Sequence, residues 1–222
     1  MIFLPKSQPA PISLEKEKKK VSGKYNLNDV LERLNTDFKN KCYICETKEP
    51  TSINVEHFKP HKENIDLKFD WNNLFFCCGH CNNTKLAKPE FDNILNCTES
   101  NNVEIKIKYH INPYPKEKAN FLALENKDEI NNTVKLLDQV YNGTTVLKLL
   151  ESSNMRNNLL KEIIEFQNFL IKYADEEEFE EKEKFKKAII KHLKPSSSFT
   201  AFKRWIIRNN DFFNNKFAEY TI

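Results

Sequence analysis

Two short stretches of the sequence decide the fold: Cys42–Cys45, which reads Cys-Tyr-Ile-Cys, and Cys78–Cys81, which reads Cys-Gly-His-Cys. Each is a C-x-x-C knuckle, a spacing that lets one turn of chain present two thiolates to the same metal ion. Together the two knuckles can supply the four ligands of a tetrahedral Zn²⁺. We therefore predict a structural zinc site made of Cys42, Cys45, Cys78 and Cys81, the alternative being buried or redox-active thiols.

The remaining two of the six cysteines, Cys77 and Cys97, are predicted to pack in the interior. Cys77 borders the second knuckle, but only Cys78 stands in C-x-x-C register with Cys81. The sequence shows neither a signal peptide nor the roughly 18 apolar residues of a membrane span, so we expect an intracellular protein. A disulfide framework is therefore not expected, because a reducing compartment keeps thiols free. We expect a cytoplasmic protein with no membrane association. Its net charge of +3 argues against holding nucleic acid by bulk charge.

The spacing of apolar residues predicts an α+β fold that is mostly helical. A helix over 27–38 leads into the first knuckle, and the run 53–58 is typical of a β-strand. After Pro115 the periodicity is helical, and it predicts helices over 133–141, 145–150, 156–173, 179–193 and 199–207. We divide the chain into a peripheral N-terminal arm (1–26), a zinc-braced domain (27–115) and a helical domain (116–222).

Two helix ends carry a recognisable signal in this second half. Gly143 is predicted to end one helix, since glycine tolerates the backbone conformation that follows a last helical turn. Ser197 or Ser198 is predicted to cap the final helix by accepting its free amide protons.

A second set of residues stands at fixed offsets from the knuckles. Glu56 and His57 lie in the predicted strand, Asn73 comes five positions before the second knuckle, and Asn82 follows that knuckle directly. This pattern resembles the HNH endonucleases, whose ββα-metal core carries an acidic-His pair on its first strand and an Asn-Leu in its second. A His or Asn stands after the last zinc cysteine in that family, and here Asn82 replaces the usual His.

The resemblance implies hydrolysis of a nucleic-acid phosphodiester bond. His57 would be the general base, because an ordinary pKa of about 6.5 suits proton transfer near neutral pH, and the Asn73 side-chain carbonyl would orient its ring. Glu56 and Asn82 would share a catalytic Mg²⁺ or Mn²⁺. Glu56 reaches that position only if the strand twists or ends there, since neighbouring strand residues point to opposite faces. The lysines expected to bind the substrate backbone are Lys59 and Lys85.

Longer motifs narrow the resemblance to the PtuB type of HNH endonuclease, found in the Septu anti-phage system and in retron-associated relatives. They are residues 55–60 (Val-Glu-His-Phe-Lys-Pro), 70–74 (Asp-Trp-Asn-Asn-Leu) and 198–205 (Ser-Phe-Thr-Ala-Phe-Lys-Arg-Trp). The resemblance implies the nuclease subunit of a defence complex, with DNA or RNA as substrate and a PtuA-like ATPase as partner. The alternative is a non-catalytic zinc module that binds nucleic acid or a protein, for which the register around the knuckles is coincidental.

Overall fold

The computed structural model describes residues 1–86, 88–99, 102–143 and 145–221. Within these residues the chain forms a mostly helical α+β fold with two separate two-stranded sheets, which confirms the predicted class. The helices are α1 (Ile12–Lys18), α2 (Asn28–Asp37), α3 (Ile65–Phe69), α4 (Gly79–Leu86), α5 (Asp128–Asn142), α6 (Val146–Asp175), α7 (Phe179–Leu193), α8 (Thr200–Arg208) and α9 (Asp211–Phe217). The strands are β1 (Ile53–His57), β2 (Leu74–Cys78), β3 (Ile107–His110) and β4 (Asn120–Ala123). No helix in these ranges has the length and apolar character needed to cross a membrane.

The first sheet places the second knuckle beside β1, the strand that comes after the first knuckle in the chain. β1 and β2 pair antiparallel, with Ile53 opposite Cys78, and β2 is buried along its whole length. The chain passes from β2 into α4 at Gly79 without a loop. A Cβ at this position would stand 2.5 Å from the Ser52 hydroxyl oxygen, so any larger residue would require the Ser52 side chain to move. The strand predicted over 53–58 is confirmed as β1.

The predicted helices correspond to α2, α5, α6, α7 and α8, with one difference in number. The segments 145–150 and 156–173 belong to a single helix, α6. The polar run between them does not break the helix because Ser152 is buried and donates from its hydroxyl to the Val140 carbonyl (2.8 Å). Helix α9 was not predicted, although its start has a cap signal: Asn210 accepts from the Phe213 amide (3.2 Å).

The two predicted helix ends have different outcomes. Gly143 ends α5 with a φ of 69°, as predicted. The serine cap of α8 is wrong, because Phe199 occupies the capping position in a left-handed conformation (φ 49°) and offers no side-chain cap. Instead the carboxylate of Glu46, the residue directly after the first knuckle, accepts a hydrogen bond from the Ala201 amide (3.1 Å).

One hydrophobic core joins all three predicted parts of the chain. It includes Leu4 from the N-terminal arm, Phe75 from β2, Leu159 from α6 and Phe202 from α8. The arm is therefore not peripheral: Leu4 is buried, and its amide donates to the Cys97 carbonyl (2.9 Å). The boundaries predicted after residues 26 and 115 stay predictions.

Candidate metal centre

The four knuckle cysteines form one buried cluster. The Sγ atoms of Cys42, Cys45, Cys78 and Cys81 lie within 4.8 Å of one another, and those of Cys45 and Cys78 are 3.9 Å apart. A tetrahedral site with Zn–S bonds of about 2.3 Å places its sulfurs about 3.8 Å apart. The four side chains can therefore hold a zinc ion, and no other group of three or more His, Cys, Asp or Glu side chains in the described residues is arranged in this way.

Backbone hydrogen bonds fix the first knuckle against the sheet. The Cys42 amide donates to the Thr47 carbonyl (3.1 Å), and the Glu46 amide donates to the Cys42 carbonyl (2.9 Å), which closes the turn. The Tyr43 amide donates to the carbonyl of Phe76 in β2 (3.1 Å). Both knuckles are thus attached to β2, one by this hydrogen bond and one by chain continuity.

The thiols of the cluster influence one another strongly. Burial alone would raise the pKa of Cys42, but hydrogen bonds from the neighbouring thiols hold it well below its usual range. The pKa of Cys45 is raised by the Cys42 and Cys78 sulfurs, and that of Cys81 is raised first by burial. A divalent cation favours the thiolate form of every ligand. The four sulfurs are accordingly arranged as the ligands of a closed metal site.

The two remaining cysteines pack in the interior, as predicted. Cys77 is fully buried with its sulfur 3.9 Å from that of Cys42, and burial raises the pKa of its thiol well above the usual value. Burial also raises the pKa of Cys97 to about 12. Neither belongs to the four-cysteine cluster.

Glu56 and Lys85 form a buried ion pair. Glu56 Oε1 lies 2.7 Å from Lys85 Nζ, with both side chains 2% exposed, and Lys85 also donates to the Phe58 carbonyl (2.9 Å). Burial raises the pKa of Glu56, while the nearby Lys85 ammonium opposes that shift. This geometry corrects two expectations: Lys85 does not face a substrate, and Glu56 points into the core rather than towards a cation shared with Asn82.

The Asn73 side chain hydrogen-bonds to backbone groups of Lys59 and Leu67, not to the His57 ring. Its carbonyl oxygen accepts from the Lys59 amide (2.7 Å), and its amide donates to the carbonyls of Lys59 (2.9 Å) and Leu67 (3.0 Å). The expected orientation of the His57 ring by Asn73 is therefore corrected, since all three hydrogen bonds fasten the backbone at the end of the first sheet. The Lys59 side chain is exposed and lines an open cleft of about 350 Å³.

His57 is held by other groups. Its Nε2 lies 3.0 Å from the Lys68 carbonyl, so this nitrogen carries the proton and donates. The rings of Tyr25 and His61 meet it edge-on, with centroids 4.5 Å and 4.7 Å away. Burial lowers the pKa of His57. Asn82 lies in α4, partly exposed.

The second knuckle is tied to the helical half by contacts that the sequence pattern did not reveal. His80, inside the knuckle, has Nδ1 2.5 Å from Glu151 Oε2 and Nε2 2.8 Å from the Val140 carbonyl. Lys148 donates from Nζ to the hydroxyl of Thr84 in α4 (2.6 Å). The start of α6 is thus attached to the knuckle and to the helix that continues it.

That same start of α6 exposes its apolar side chains. Val146 and Leu147 are each 76% exposed and Leu150 is 62% exposed, while Lys148 between them is half-buried and turned towards α4. An ordinary surface helix does the reverse, with apolar residues inward and lysines in solvent. We call Val146, Leu147 and Leu150 the apolar turn.

No curated protein and no solved structure matches the chain. A family model described as CDK5 regulatory subunit-associated protein 3 matches residues 7–201, which is most of the 222-residue chain. This match overturns the interpretation as an HNH endonuclease of the PtuB type, and with it the Septu and retron setting. The catalytic Mg²⁺ or Mn²⁺ has no support, whereas the four-cysteine cluster does.

The error came from the register of a few residues around the knuckles, which matched a nuclease pattern while the family model follows nearly the whole chain. The predicted nucleic-acid and ATPase partners, like the cytoplasmic location, are not tested by the match and stay predictions. On the evidence of residues 7–201, the chain belongs to the CDK5 regulatory subunit-associated protein 3 family.

Proposed function

We propose that this chain is a zinc-braced protein-interaction module whose zinc core is structural and whose docking surface includes the apolar turn of α6. The observation that carries the proposal is the reversed exposure of side chains at the start of α6. The apolar side chains of the apolar turn face solvent, while Lys148 is turned towards α4 and donates to Thr84. An exposed apolar surface that is fixed in place marks a site for protein partners more often than one for nucleic acid.

The zinc assignment is supported by the donor set. Four buried thiols at tetrahedral spacing can fill the coordination sphere of Zn²⁺, which leaves no open position for water or substrate. A closed site of this kind stabilises a fold without acting on a substrate. The buried pair of Glu56 with Lys85 agrees with a structural role, because each charge is neutralised by the other.

The apolar turn offers enough surface to contribute measurably to binding. Full burial of a leucine side chain is worth about 1.5–3 kcal/mol, and Leu147 and Leu150 still expose 76% and 62% of theirs. Covering both is therefore worth about 3 kcal/mol, or about 100-fold in affinity.

Hydrogen bonds connect the four-cysteine site to the apolar turn of α6. His80 lies between the two zinc ligands of the second knuckle, and it contacts both Glu151 in α6 and the Val140 carbonyl in α5. Lys148 adds a hydrogen bond to Thr84 in α4. Loss of zinc would release the knuckle, and with it the contacts that position the apolar turn.

The family description supplies the first partner to test. It names a protein associated with a regulatory subunit of CDK5. We therefore propose that the partner is a protein of this kind, and we choose the CDK5 regulatory subunit as the probe.

The experiment measures binding of the purified, zinc-loaded chain to this subunit by isothermal titration calorimetry. The double variant Leu147→Ser/Leu150→Ser should bind about 100-fold more weakly than the parent chain. Ile171→Ser is the matched control, because Ile171 is 58% exposed on the same helix and lies about 30 Å from Leu150 along its axis. The proposal fails if the double variant binds like the parent, or if the control weakens binding equally.

A further inference from the structure

A cleft of about 270 Å³ lies in the helical half of the chain. It is bordered by α6, α7, the loop that leads into α8 and the segment that follows the first knuckle. Lys203 of α8 is fully buried beneath this cleft. Two residues of its lining, Ser197 from the loop and His192 from α7, contact the Lys203 ammonium group.

The buried ammonium group fixes both of these side chains as hydrogen-bond donors. An ammonium group has three protons and no lone pair, so every polar atom that it contacts must accept. Lys203 Nζ lies 2.9 Å from Ser197 Oγ, 3.0 Å from His192 Nδ1 and 2.6 Å from Glu162 Oε2. The hydroxyl hydrogen of Ser197 therefore points away from Lys203, and His192 carries its proton on Nε2. Neither hydrogen has an acceptor among the residues that the structure describes.

His192 stays neutral in this position. Burial lowers the pKa of His192, and the nearby charge of Lys203 lowers it further. The rings of Phe166 and Phe169 pack against the imidazole, with centroids 5.6 Å and 5.5 Å away. The ring is thus held in one orientation and in one tautomer.

The loop that carries Ser197 is also fixed by hydrogen bonds. The Ser197 amide donates to the Lys194 carbonyl (3.0 Å), and the Ser197 carbonyl accepts from the Thr200 hydroxyl (2.7 Å). Lys41 donates to the Pro195 carbonyl (2.8 Å). Because both donors are held in place before a ligand arrives, binding costs little conformational entropy.

The charges in the lining favour an anion. Lys48 and Lys191 line the cleft, and neither ammonium group has an ion pair within the described ranges of the chain. Of the two carboxylates in the lining, Glu162 is neutralised by Lys203, whereas Glu165 has no ion pair within those same ranges. The cleft therefore combines two ammonium groups and two neutral donors with one carboxylate that can accept a hydrogen bond.

We propose that the cleft binds a small phosphate monoester that carries a hydroxyl group, such as glycerol 3-phosphate. A phosphate monoester has a charge near −2 at neutral pH, which the two ammonium groups match, and its oxygens accept from Ser197 and His192. The ligand hydroxyl donates to Glu165. A carboxylate ligand carries a single negative charge and would leave one ammonium group uncompensated. The site goes beyond the proposed interaction function and uses no residue of the zinc core or of the apolar turn.

The test is isothermal titration calorimetry of the full, zinc-loaded chain with glycerol 3-phosphate at neutral pH. Methyl phosphate lacks the hydroxyl group and should bind about 10-fold more weakly, while glycerol, which lacks the phosphate, should not bind. Ser197→Ala should weaken binding of glycerol 3-phosphate at least about 10-fold, because a hydrogen bond to a charged group is lost.

A pair of lysine variants separates this site from general attraction of anions. Lys191→Met should weaken binding about 5-fold, the upper range for an exposed charge pair. Lys187→Met is the matched control, because Lys187 is exposed one turn earlier in α7 and does not line the cleft. It should bind like the parent chain.

Four results would overturn the proposal. They are no binding of glycerol 3-phosphate, equal affinity for methyl phosphate, unchanged binding in Ser197→Ala, and equal binding by Lys191→Met and Lys187→Met. Circular dichroism confirms that each variant is folded. If Ser197→Ala does not fold, the comparison of the two lysine variants decides, since both lysines are exposed and neither substitution disturbs the core.

Discussion

Removing the Lys85 side chain tests whether Glu56 belongs to the structural interior. Lys85→Ala would leave the Glu56 carboxylate, now paired at 2.7 Å with both side chains 2% exposed, without its counter-ion. It would also remove the hydrogen bond to the Phe58 carbonyl. Breaking a buried ion pair on one side costs about 3–5 kcal/mol, a large part of the 5–15 kcal/mol by which domains are stable.

The assay is urea denaturation of the zinc-loaded chain at pH 7, followed by circular dichroism. The double variant Glu56→Gln/Lys85→Met should recover most of the lost free energy of unfolding, because it removes both charges. Lys127→Ala is the matched control: its ion pair with Glu125 is exposed, so no measurable change is expected. If Lys85→Ala unfolds at the same urea concentration as the parent, Glu56 is not a buried charge and the assignment of this pair to the core is refuted.

The cost of Lys85→Ala should also depend on pH. Burial raises the pKa of Glu56 in the folded chain above its unfolded value, so protonation favours the folded state. A carboxyl with a raised pKa stabilises the fold below its unfolded pKa, near 4.3, and that stability is lost as pH rises through the folded pKa. The difference between variant and parent should therefore shrink as the pH is lowered from 7 towards 5, and a difference that grows instead would contradict this reasoning.

Three further predictions concern the zinc core. Asn73→Ala should lower the free energy of unfolding by about 2–4 kcal/mol, because three part-buried hydrogen bonds to the backbone of Lys59 and Leu67 are lost; urea denaturation that shows no change would mean that water replaces them. Cys81→Ser should bind less than one equivalent of zinc, measured by inductively coupled plasma mass spectrometry, and should have a lower melting temperature. The control Cys97→Ser should keep its zinc, and equal zinc contents in the two variants would refute the ligand assignment. His80→Ala should keep the zinc but increase amide hydrogen exchange at the start of α6, and unchanged exchange there would show that His80 does not couple the two regions.

The zinc cluster was accessible from sequence because its signal is local. Two C-x-x-C knuckles fix pairs of ligands within one turn each, and the apolar run of β2 places the second knuckle beside the first. The alternation of side chains along β1 was equally informative. It puts Glu56 and His57 on opposite faces, and the structure buries the former and leaves the latter partly exposed.

The partners of those side chains were not accessible, because they depend on how distant elements pack. Nothing in the local sequence pairs Glu56 with Lys85, or turns Lys148 of α6 inward towards Thr84. The same cause explains the mistaken nuclease interpretation. A register of polar residues around a zinc knuckle is compatible with catalysis and with structural hydrogen bonding, and it is the family match over residues 7–201 that decides against the nuclease.

The interaction surface is tested most directly by its dependence on zinc. The measurement is the affinity of the CDK5 regulatory subunit for the chain, determined by calorimetry on matched samples with zinc and after removal of zinc by a chelator. Because His80 links the knuckle to α6, binding should weaken by at least about 100-fold without zinc and return when one equivalent is restored. Binding of equal strength in the two samples would contradict the claim that the zinc core positions the docking surface.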